Sequence, residues 1–258
     1  MQSSGQVAAL LYHHVGPVTE PACMGLTVTP EAFSRQMSTL VALGWNAITP
    51  EEWAAHVRGE RDMPSRTVMI TFDDAYADLA EHALPVLAKH SLPSTVFVPT
   101  SLVGKTIPCN PRSPAASLPL MSASQIREWA DRGVSFGAHS RTHADLTTLD
   151  AAQLDAEVIG SRDDLVALTG RAVTAFAYPY GKLDPAVHDV VAQSYDVAFT
   201  IDEGLNDRET PLAALRRTMV QHGDSVVDVC LRARYGKSVL QSIRNVARGG
   251  TRPEPARS

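Results

Sequence analysis

Two adjacent aspartates and two spaced histidines are the residues whose types and spacing could do chemistry together. Asp73 and Asp74 directly follow the apolar run VMITF, and His139 and His143 lie four residues apart in HSRTH. That spacing brings two side chains together on one helical turn. Two imidazole nitrogens and one carboxylate oxygen form a three-ligand site for a divalent metal and leave positions open for water. The sequence therefore predicts a catalytic metal site.

The two aspartates are expected to have different roles. Two carboxylates on one metal would neutralise it, so one should bind the metal while the other accepts a proton from water. We favour Asp74 as the ligand and Asp73 as the base, although their spacing does not fix the order. A solvated turn or a helix N-cap is the alternative for an isolated Asp-Asp pair.

Strand-like and helix-like stretches alternate along the chain and predict where these residues lie. Apolar runs such as VAALLY, TVMITF and STVFVPT alternate with helical stretches such as TPEAFSRQMSTLVALG, which has clear start and stop signals. Six or seven such units predict a parallel sheet with outer helices, as in a deformed or incomplete (β/α)7 barrel. A doubly wound open sheet is the alternative, but no glycine-rich dinucleotide loop follows the first strand.

Ligands of parallel α/β sheets bind beyond the carboxyl ends of the strands, and four predicted strand ends carry polar residues. His13 and His14 follow the first strand, and the turn YPYG (178–181) follows TAFA. The aspartate pair and HSRTH follow two other strands. This placement indicates that all of these residues border one site.

Composition and charge exclude several classes of protein. The 258-residue chain has a formal net charge of -5, which gives no reason to expect a nucleic-acid partner. No apolar run reaches the roughly 18 residues of a membrane span. The opening MQSSGQVAALLYHHVG does not resemble a signal peptide, so a cytoplasmic location is expected. The scattered Cys23, Cys109 and Cys230 predict neither a disulfide framework nor a cysteine-built zinc site.

One domain is expected over residues 1–245, followed by a disordered tail over 246–258. The Pro- and Ser-rich stretch 104–121 predicts a long loop or a mobile lid beside the site. Cations dominate from Arg232 to Arg252, and they could hold the protein against an anionic membrane. A solvated terminal helix with a loose tail is the alternative.

The motifs TFDDAYAD, HSRTH and FAYPYG, in this order and spacing, resemble the first three motifs of the NodB-homology polysaccharide deacetylases, the family 4 carbohydrate esterases. The likeness extends over roughly residues 7 to 225. It implies a deformed (β/α)7 barrel and a metal held by Asp74, His139 and His143. It also implies hydrolysis of an N-acetyl group from an amino sugar, with Asp73 as the base.

The resemblance also implies a role for the YPYG turn. Pro179 fixes the turn, so the backbone N–H of Tyr180 could face an oxyanion. An aromatic-proline corner that only packs is the alternative. Pro179, Tyr178 and Tyr76 are the expected contacts to the sugar.

Several positions depart from the family pattern. The glycine that usually follows the aspartate pair is Ala75, which is small enough for the turn to form without a positive φ. The arginine that usually precedes the Pro-Tyr turn, and that restrains the base aspartate in the family, is Ala177. Arg216 or Arg217 is the candidate substitute.

The late leucine-x-histidine motif, which supplies the general acid in the family, is also missing. LLYHHV resembles a circularly permuted subset, including poly-N-acetylglucosamine deacetylases, in which an N-terminal YH provides this histidine. His13 is therefore the expected general acid. His14 and His222 are the alternatives.

The expected function is the removal of N-acetyl groups from an amino-sugar glycan or a lipid-linked sugar. The reaction would use water activated by one divalent metal ion. Zinc is favoured by the ligand types, and cobalt, nickel or iron would fit the same ligands. An O-acetyl esterase acting on an acetylated polysaccharide and a non-catalytic glycan-binding relative are the alternative functions.

Overall fold

The computed structural model describes residues 5–109 and 116–239. Within them the strands are β1 (Ala8–Tyr12), β2 (His14–Val15), β3 (Thr27–Val28), β4 (Asn46–Ile48), β5 (Thr67–Phe72), β6 (Thr95–Val98), β7 (Thr106–Pro108), β8 (Ser117–Pro119), β9 (Ser135–Ala138), β10 (Ala175–Ala177), β11 (Val197–Phe199) and β12 (Thr218–Met219). The α-helices are α1 (Pro30–Ala42), α2 (Pro50–Val57), α3 (Leu84–Lys89), α4 (Ala123–Asp131), α5 (Ala151–Thr169), α6 (Pro185–Ser194) and α7 (Val226–Tyr235).

Eight parallel strands form the central sheet, and seven of them follow the order β11-β10-β9-β6-β5-β1-β12. The eighth, β4, pairs with β5 at residues 67–69, while β6 pairs with β5 farther along, at Thr71 and Phe72. A parallel bridge between Phe199 and Leu215 joins the β11 edge to the segment that leads into β12. The sheet is thus a curled, incomplete barrel with outer helices, which confirms the predicted deformed (β/α)7 architecture.

The strands are buried on both faces, as parallel strands covered by helices must be. Every residue of β1, β5 and β6 is buried. Alternate side chains point to opposite faces, and they divide between two apolar clusters. Ala9 and Met69 belong to the smaller cluster with Phe97 and Phe199, whereas Leu10 belongs to the larger one. This alternation keeps apolar side chains on both faces and leaves the strand ends for polar groups.

Local sequence signals account for the helix boundaries. The Thr29 and Thr49 side chains accept hydrogen bonds from the first turns of α1 and α2, and a proline follows each threonine. Both Thr-Pro-Glu start signals are therefore confirmed. The helix predicted over DLAEHALPVLAKHS is divided into a π-helical turn, Leu79–Ala83, and the short helix α3.

The described parts of the stretch 104–121, residues 104–109 and 116–121, are more ordered than the sequence indicates. Strands β7 and β8 pair antiparallel to form a hairpin, and residues 110–115 lie outside the described part of the chain. The hairpin is attached to the segment after the aspartate pair, because the Met121 N–H donates to the Ala75 carbonyl at 2.8 Å and Ala77 donates to Pro119 at 2.9 Å. The many prolines and serines of this stretch gave no indication of the hairpin. Its hydrogen bonds to Ala75 and Ala77 join residues that are distant in sequence.

Cys23 and Cys109 form a disulfide, so the expectation of no disulfide was wrong. The two cysteines lie 86 residues apart, and only the fold brings them together. Cys23 lies in the 3-10 turn Pro21–Leu26, and Cys109 follows β7. The bond therefore attaches the β7–β8 hairpin to the segment between β2 and β3. Disulfides persist mainly in oxidising compartments.

The basic C-terminal segment is only partly described. Helix α7 ends at Tyr235, and Gly236, which has a φ of 67°, caps its C-terminus. Arg232 is buried and donates to Asp224 at 2.8 Å and to Thr218 at 3.0 Å. This arginine is therefore not available to a membrane surface, contrary to the expectation. The predicted boundary at 245 and the tail beyond it lie outside the described residues. No helix in the described part is long and apolar enough to span a membrane.

The disulfide should stabilise the folded chain measurably. Replacing both cysteines (Cys23→Ser with Cys109→Ser) should lower the free energy of unfolding by about 2–4 kcal/mol, because the unfolded chain regains the entropy of a long loop. Denaturant unfolding of both proteins measures this difference, and Cys230→Ser is the matched control. Equal midpoints for the parent and the double variant would show that the bond does not stabilise the fold.

Candidate active site

The predicted site residues meet at the carboxyl edge of the sheet. Asp73 and Asp74 follow β5 directly, and the Asp73 N–H donates to the Tyr12 carbonyl at 3.0 Å. His139 follows β9 and donates its backbone N–H to Val98 at 3.0 Å. The hydrogen-bond pattern of each strand thus extends by one residue, and it fixes the backbone of Asp73 and of His139 beside a neighbouring strand.

Asp74, His139 and His143 form a group that could hold a metal ion. One ligand atom from each lies within 4.8 Å of the others. The Oδ1 atom of Asp74 is 3.3 Å from His143 Nε2 and 3.8 Å from His139 Nε2. The other ring nitrogens are engaged elsewhere: His139 Nδ1 lies 2.7 Å from the Ala177 carbonyl and His143 Nδ1 lies 3.2 Å from the Tyr180 hydroxyl. These contacts orient both Nε2 atoms toward Asp74.

The electrostatics of this group fit a cation. Burial lowers the pKa of His139 to about 4, so this imidazole is neutral near pH 7. Because its Nδ1–H donates to a carbonyl, its Nε2 carries a lone pair. That lone pair faces a carboxylate oxygen, Asp74 Oδ1, which is buried and has no hydrogen-bond partner within the described residues. Acceptors that face one another are stabilised by a cation between them, and a set of two nitrogens and one oxygen suits a divalent transition metal.

The loop that carries His143 is not a helical turn, as the spacing predicts, but an irregular segment. Ser140 and His143 have φ values of 59° and 60°. Each left-handed residue costs about 1–2 kcal/mol. The two imidazole rings still meet, edge to face, with centroids 4.8 Å apart. The i, i+4 spacing therefore predicted correctly that the two histidines meet. The helical turn on which that prediction was based is not present.

The aspartate loop is strained in the same way. Asp74 has a φ of 69° and Ala75 a φ of 55°. The expectation that Ala75 avoids a positive φ was wrong, because this position has the left-handed conformation that glycine adopts most readily. The conformation turns Asp74 away from the strand direction and lets both carboxylates reach one site.

Arg217 takes the place of the missing motif arginine. Its guanidinium contacts both oxygens of Asp73, at 2.6 and 2.7 Å, and its Nε donates to the Thr200 carbonyl at 2.9 Å. It is fully buried, and its Cζ lies 5.7 and 5.6 Å from the ring centroids of Phe97 and Phe199. The geometry selects Arg217 over Arg216, whose side chain is exposed.

This ion pair keeps Asp73 charged. Burial alone would raise the pKa of the carboxyl group, but the nearby positive charge of Arg217, with a further contribution from His139, lowers it to about 2. The Asp73 Oδ2 atom also lies 3.9 Å from His139 Nε2. An ionised carboxylate is therefore held beside the candidate metal ligands by two strong hydrogen bonds.

The three candidate acids occupy different environments. His13 borders the site: burial lowers its pKa below the usual value, and the charges of Asp73 and Asp74 offset part of this shift. Its Nδ1 is buried with no partner in the described part of the chain. His14 instead contacts Thr27 Oγ1 at 3.0 Å and Asp78 Oδ2 at 2.5 Å.

His222 is exposed in the turn after β12. Of the three histidines, His13 is the one on which the charges of the aspartate pair act and whose ring retains a buried nitrogen without a protein partner.

All three expected sugar contacts are buried, and two of them are aromatic rings. Tyr178 has no exposed surface, and its hydroxyl donates to the Ala213 carbonyl at 2.9 Å. Tyr76 is 1% exposed. Both assignments are therefore corrected, because neither ring can stack on a sugar. Pro179 is also buried, whereas Tyr180 is 39% exposed and presents its ring beside the candidate ligands.

Two polar residues at the rim of the site were not predicted. The Lys182 ammonium donates to Asp145 at 2.7 Å and lies 5.8 Å from the centre of the Tyr180 ring. Asp145 and Lys182 each lie two residues beyond a motif, after HSRTH and after the Pro-Tyr pair. That proximity was the available signal.

Comparisons with known proteins identify a family for this chain. The sequence model described as polysaccharide deacetylase matches residues 60–210, which is more than half of the chain. The chain belongs to the polysaccharide deacetylase family. The expectation of an enzyme that hydrolyses acetyl groups of carbohydrates is confirmed at this level.

Individual relatives have low sequence identity to this chain, but the similarity extends over most of its length. YxkH of Bacillus subtilis is 25% identical over 225 residues, which cover 87% of this chain and 75% of YxkH. A poly-beta-1,6-N-acetyl-D-glucosamine N-deacetylase of Staphylococcus epidermidis is 29% identical over 189 residues, covering 69% of this chain and 62% of that protein. The crystal structure of BC0361, a polysaccharide deacetylase from Bacillus cereus, is 26% identical with a TM-score of 0.75, covering 88% of this chain and 69% of that one.

The Arg217–Asp73 pair generates a stability prediction. Arg217→Ala leaves a buried carboxylate without its partner and should lower the free energy of unfolding by about 3–5 kcal/mol. The exposed neighbour supplies the control, since Arg216→Ala should change it by less than about 0.5 kcal/mol. Denaturant melts of the three proteins measure the difference. Similar losses for the two variants would mean that the ion pair is not a major source of stability.

Proposed function

We propose that this protein removes N-acetyl groups from an amino-sugar-containing glycan by metal-dependent hydrolysis. The observation that carries the proposal is the convergence of Asp74, His139 and His143 beside Asp73, which Arg217 holds ionised. The named activity of the Staphylococcus epidermidis relative supports the choice of an amide on an amino sugar.

Asp74, His139 and His143 would hold one divalent ion. Zinc is favoured by these ligands, and cobalt, nickel or iron fit the same set. When bound, the ion supplies Lewis acidity that makes water acidic and polarises the acetyl carbonyl. The protein's contribution is to orient the two Nε2 atoms through the Ala177 carbonyl and the Tyr180 hydroxyl.

Asp73 acts as the general base. Its pKa of about 2 keeps it ionised throughout the neutral range, so it is always able to accept a proton from water. Arg217 occupies both carboxylate oxygens and fixes the direction of the remaining lone pairs. The restraint compensates for low basicity by placing the acceptor beside the nucleophile before the reaction begins.

Tyr180 stabilises the oxyanion through its backbone N–H. Pro179 begins the 3-10 turn, and Tyr180 has a φ of 58°, which sets the direction of the peptide groups on either side of it. A preorganised donor of this kind contributes about 3 kcal/mol to transition-state stabilisation.

His13 donates a proton to the leaving nitrogen. An amide nitrogen cannot leave as an anion, so the carbon–nitrogen bond breaks only as a proton arrives. Asp73 and Asp74 favour the protonated imidazolium against the desolvation that opposes it. Burial prevails, so the pKa of His13 lies below its usual value and its imidazolium gives up a proton readily.

The alternatives differ in what supports them. A non-catalytic glycan-binding relative was favoured only by the missing motif arginine, and Arg217 removes that support. An O-acetyl esterase would use the same residues, and parallel amide and ester substrates distinguish it.

Acetate release tests the proposal. The parent enzyme should release acetate from N-acetylglucosamine oligomers, lose this activity on chelation and regain it with zinc or cobalt. Asp73→Asn should abolish release because it removes the base, whereas the exposed control Asp189→Asn should not. Release by metal-free enzyme, or by Asp73→Asn at the parent rate, would refute the mechanism. Faster release from O-acetylated xylan than from the oligomers would assign the esterase instead.

A histidine series identifies the general acid. His13→Asn should lower kcat by roughly 10²- to 10⁴-fold, the usual contribution of a positioned acid. His222→Asn should keep the parent kcat, and His14→Asn should mainly lower the melting temperature by removing its contacts to Thr27 and Asp78. Steady-state kinetics and thermal melts of all three variants separate these effects. A large loss of kcat in His222→Asn alone would move the role to that residue.

A further inference from the structure

His143 is the candidate ligand whose position the barrel does not fix. His139 extends a sheet strand, whereas His143 lies four residues later in a loop without regular structure. Two residues of that loop, Ser140 and His143, have left-handed backbone conformations. Such a segment keeps this shape only where surrounding contacts hold it.

Thr100 and Ser101 donate backbone N–H groups to the Ser140 and Arg141 carbonyls, and Glu157 of helix α5 supplies three further contacts. Its Oε2 accepts the backbone N–H of Arg141 at 2.9 Å and that of Thr142 at 2.8 Å, and its Oε1 accepts the Thr142 hydroxyl at 2.8 Å. One carboxylate therefore binds the two residues between the left-handed positions. Hydrogen bonds to a charged acceptor are stronger than those between neutral groups.

A second carboxylate of the same helix holds the side chain of the loop. Arg141 donates to both oxygens of Asp164, each at 2.8 Å, and Asp164 also accepts the Thr100 hydroxyl at 2.8 Å. Asp164 lies seven residues after Glu157, which is two helical turns, so both point from one face.

Gly160 lies between these carboxylates. A Cβ at this position would be 2.6 Å from the Arg141 guanidinium carbon, so any larger residue would displace the arginine from its present position. Glu157, Gly160 and Asp164 therefore form one helix face shaped to the loop. The buried residues of α5, which pack against the sheet, are Leu154, Val158, Ser161 and Leu165.

We propose that Glu157 is a positioning residue that holds the 140–143 loop so that His143 Nε2 faces Asp74. The inference rests on the proposed metal site and adds a residue outside its motifs. Glu157 does not itself bind the metal. It affects the metal site only indirectly, because it holds Thr142, which is next to His143. Its removal releases two backbone donors and lets the strained loop relax, which moves His143 away from the ligand geometry.

Metal affinity tests this role independently of activity. The full-length protein is stripped with a chelator and titrated with Zn²⁺ by calorimetry, and the Co²⁺-loaded form is examined by its visible absorption spectrum. Glu157→Ala should weaken Zn²⁺ binding by about 10- to 100-fold, the usual effect of losing a group that orients a metal ligand. It should also change the Co²⁺ spectrum.

Matched variants separate positioning from simple stabilisation. Glu157→Gln retains acceptor oxygen and size, so it should restore part of the affinity. Asp155→Ala, an exposed carboxylate of the same helix, should bind like the parent. Thermal melts of the metal-free proteins show which variants fold. If Glu157→Ala does not fold, Thr142→Val replaces it as the test. This variant removes one of the three contacts and should weaken Zn²⁺ binding by only about threefold.

The outcomes are distinguishable. Parent-like Zn²⁺ affinity and Co²⁺ spectrum in Glu157→Ala, even with a lower melting temperature, would overturn the positioning role and leave the metal site intact. A parent protein that binds no metal would overturn the proposed function, and the positioning role with it.

Discussion

Two neighbouring carboxyl groups must be accommodated at an edge of the sheet where each is less than a tenth exposed. Asp73 and Asp74 are 3% and 6% exposed, and like charges so close together in a poorly solvated place repel one another. The fold resolves the conflict in two different ways. A permanent cation, Arg217, neutralises Asp73, whereas Asp74 faces two imidazole nitrogens that leave room for a cation from outside. The distinct chemistry of the two aspartates follows from this asymmetry.

Much of the fold and of the site could be predicted from short-range patterns. Apolar strands read as continuous runs, and Thr29 and Thr49 marked helix starts because capping is a local interaction. The carboxyl edge of parallel strands then brought Asp73 and His139 together without any knowledge of the detailed packing. These predictions succeeded because each depended on neighbours in sequence or on a property of every parallel sheet.

The remaining features depend on contacts that sequence spacing does not reveal. Arg217 and Asp73 are 144 residues apart, and only the closure of the barrel selects this arginine over its exposed neighbour. The left-handed conformations of Ala75 and His143 contradict residue preference, and tertiary contacts must support them. Tyr178 was misassigned because an aromatic ring beside a motif is as easily part of the core. Strained backbone conformations and residues whose role was wrongly predicted therefore both occur mainly around the site.

The disulfide also changes the topology of the molecule. It closes a covalent ring from Cys23 to Cys109, and this ring contains both site aspartates, whereas His13 precedes it and the HSRTH histidines follow it. A single proteolytic cut in the exposed stretch 58–66 would open the ring without separating the chain into two molecules. The fragment that carries His13 would remain covalently attached to the fragment that carries the aspartates and the HSRTH histidines until the disulfide was reduced. A cut backbone would therefore not by itself take the site apart.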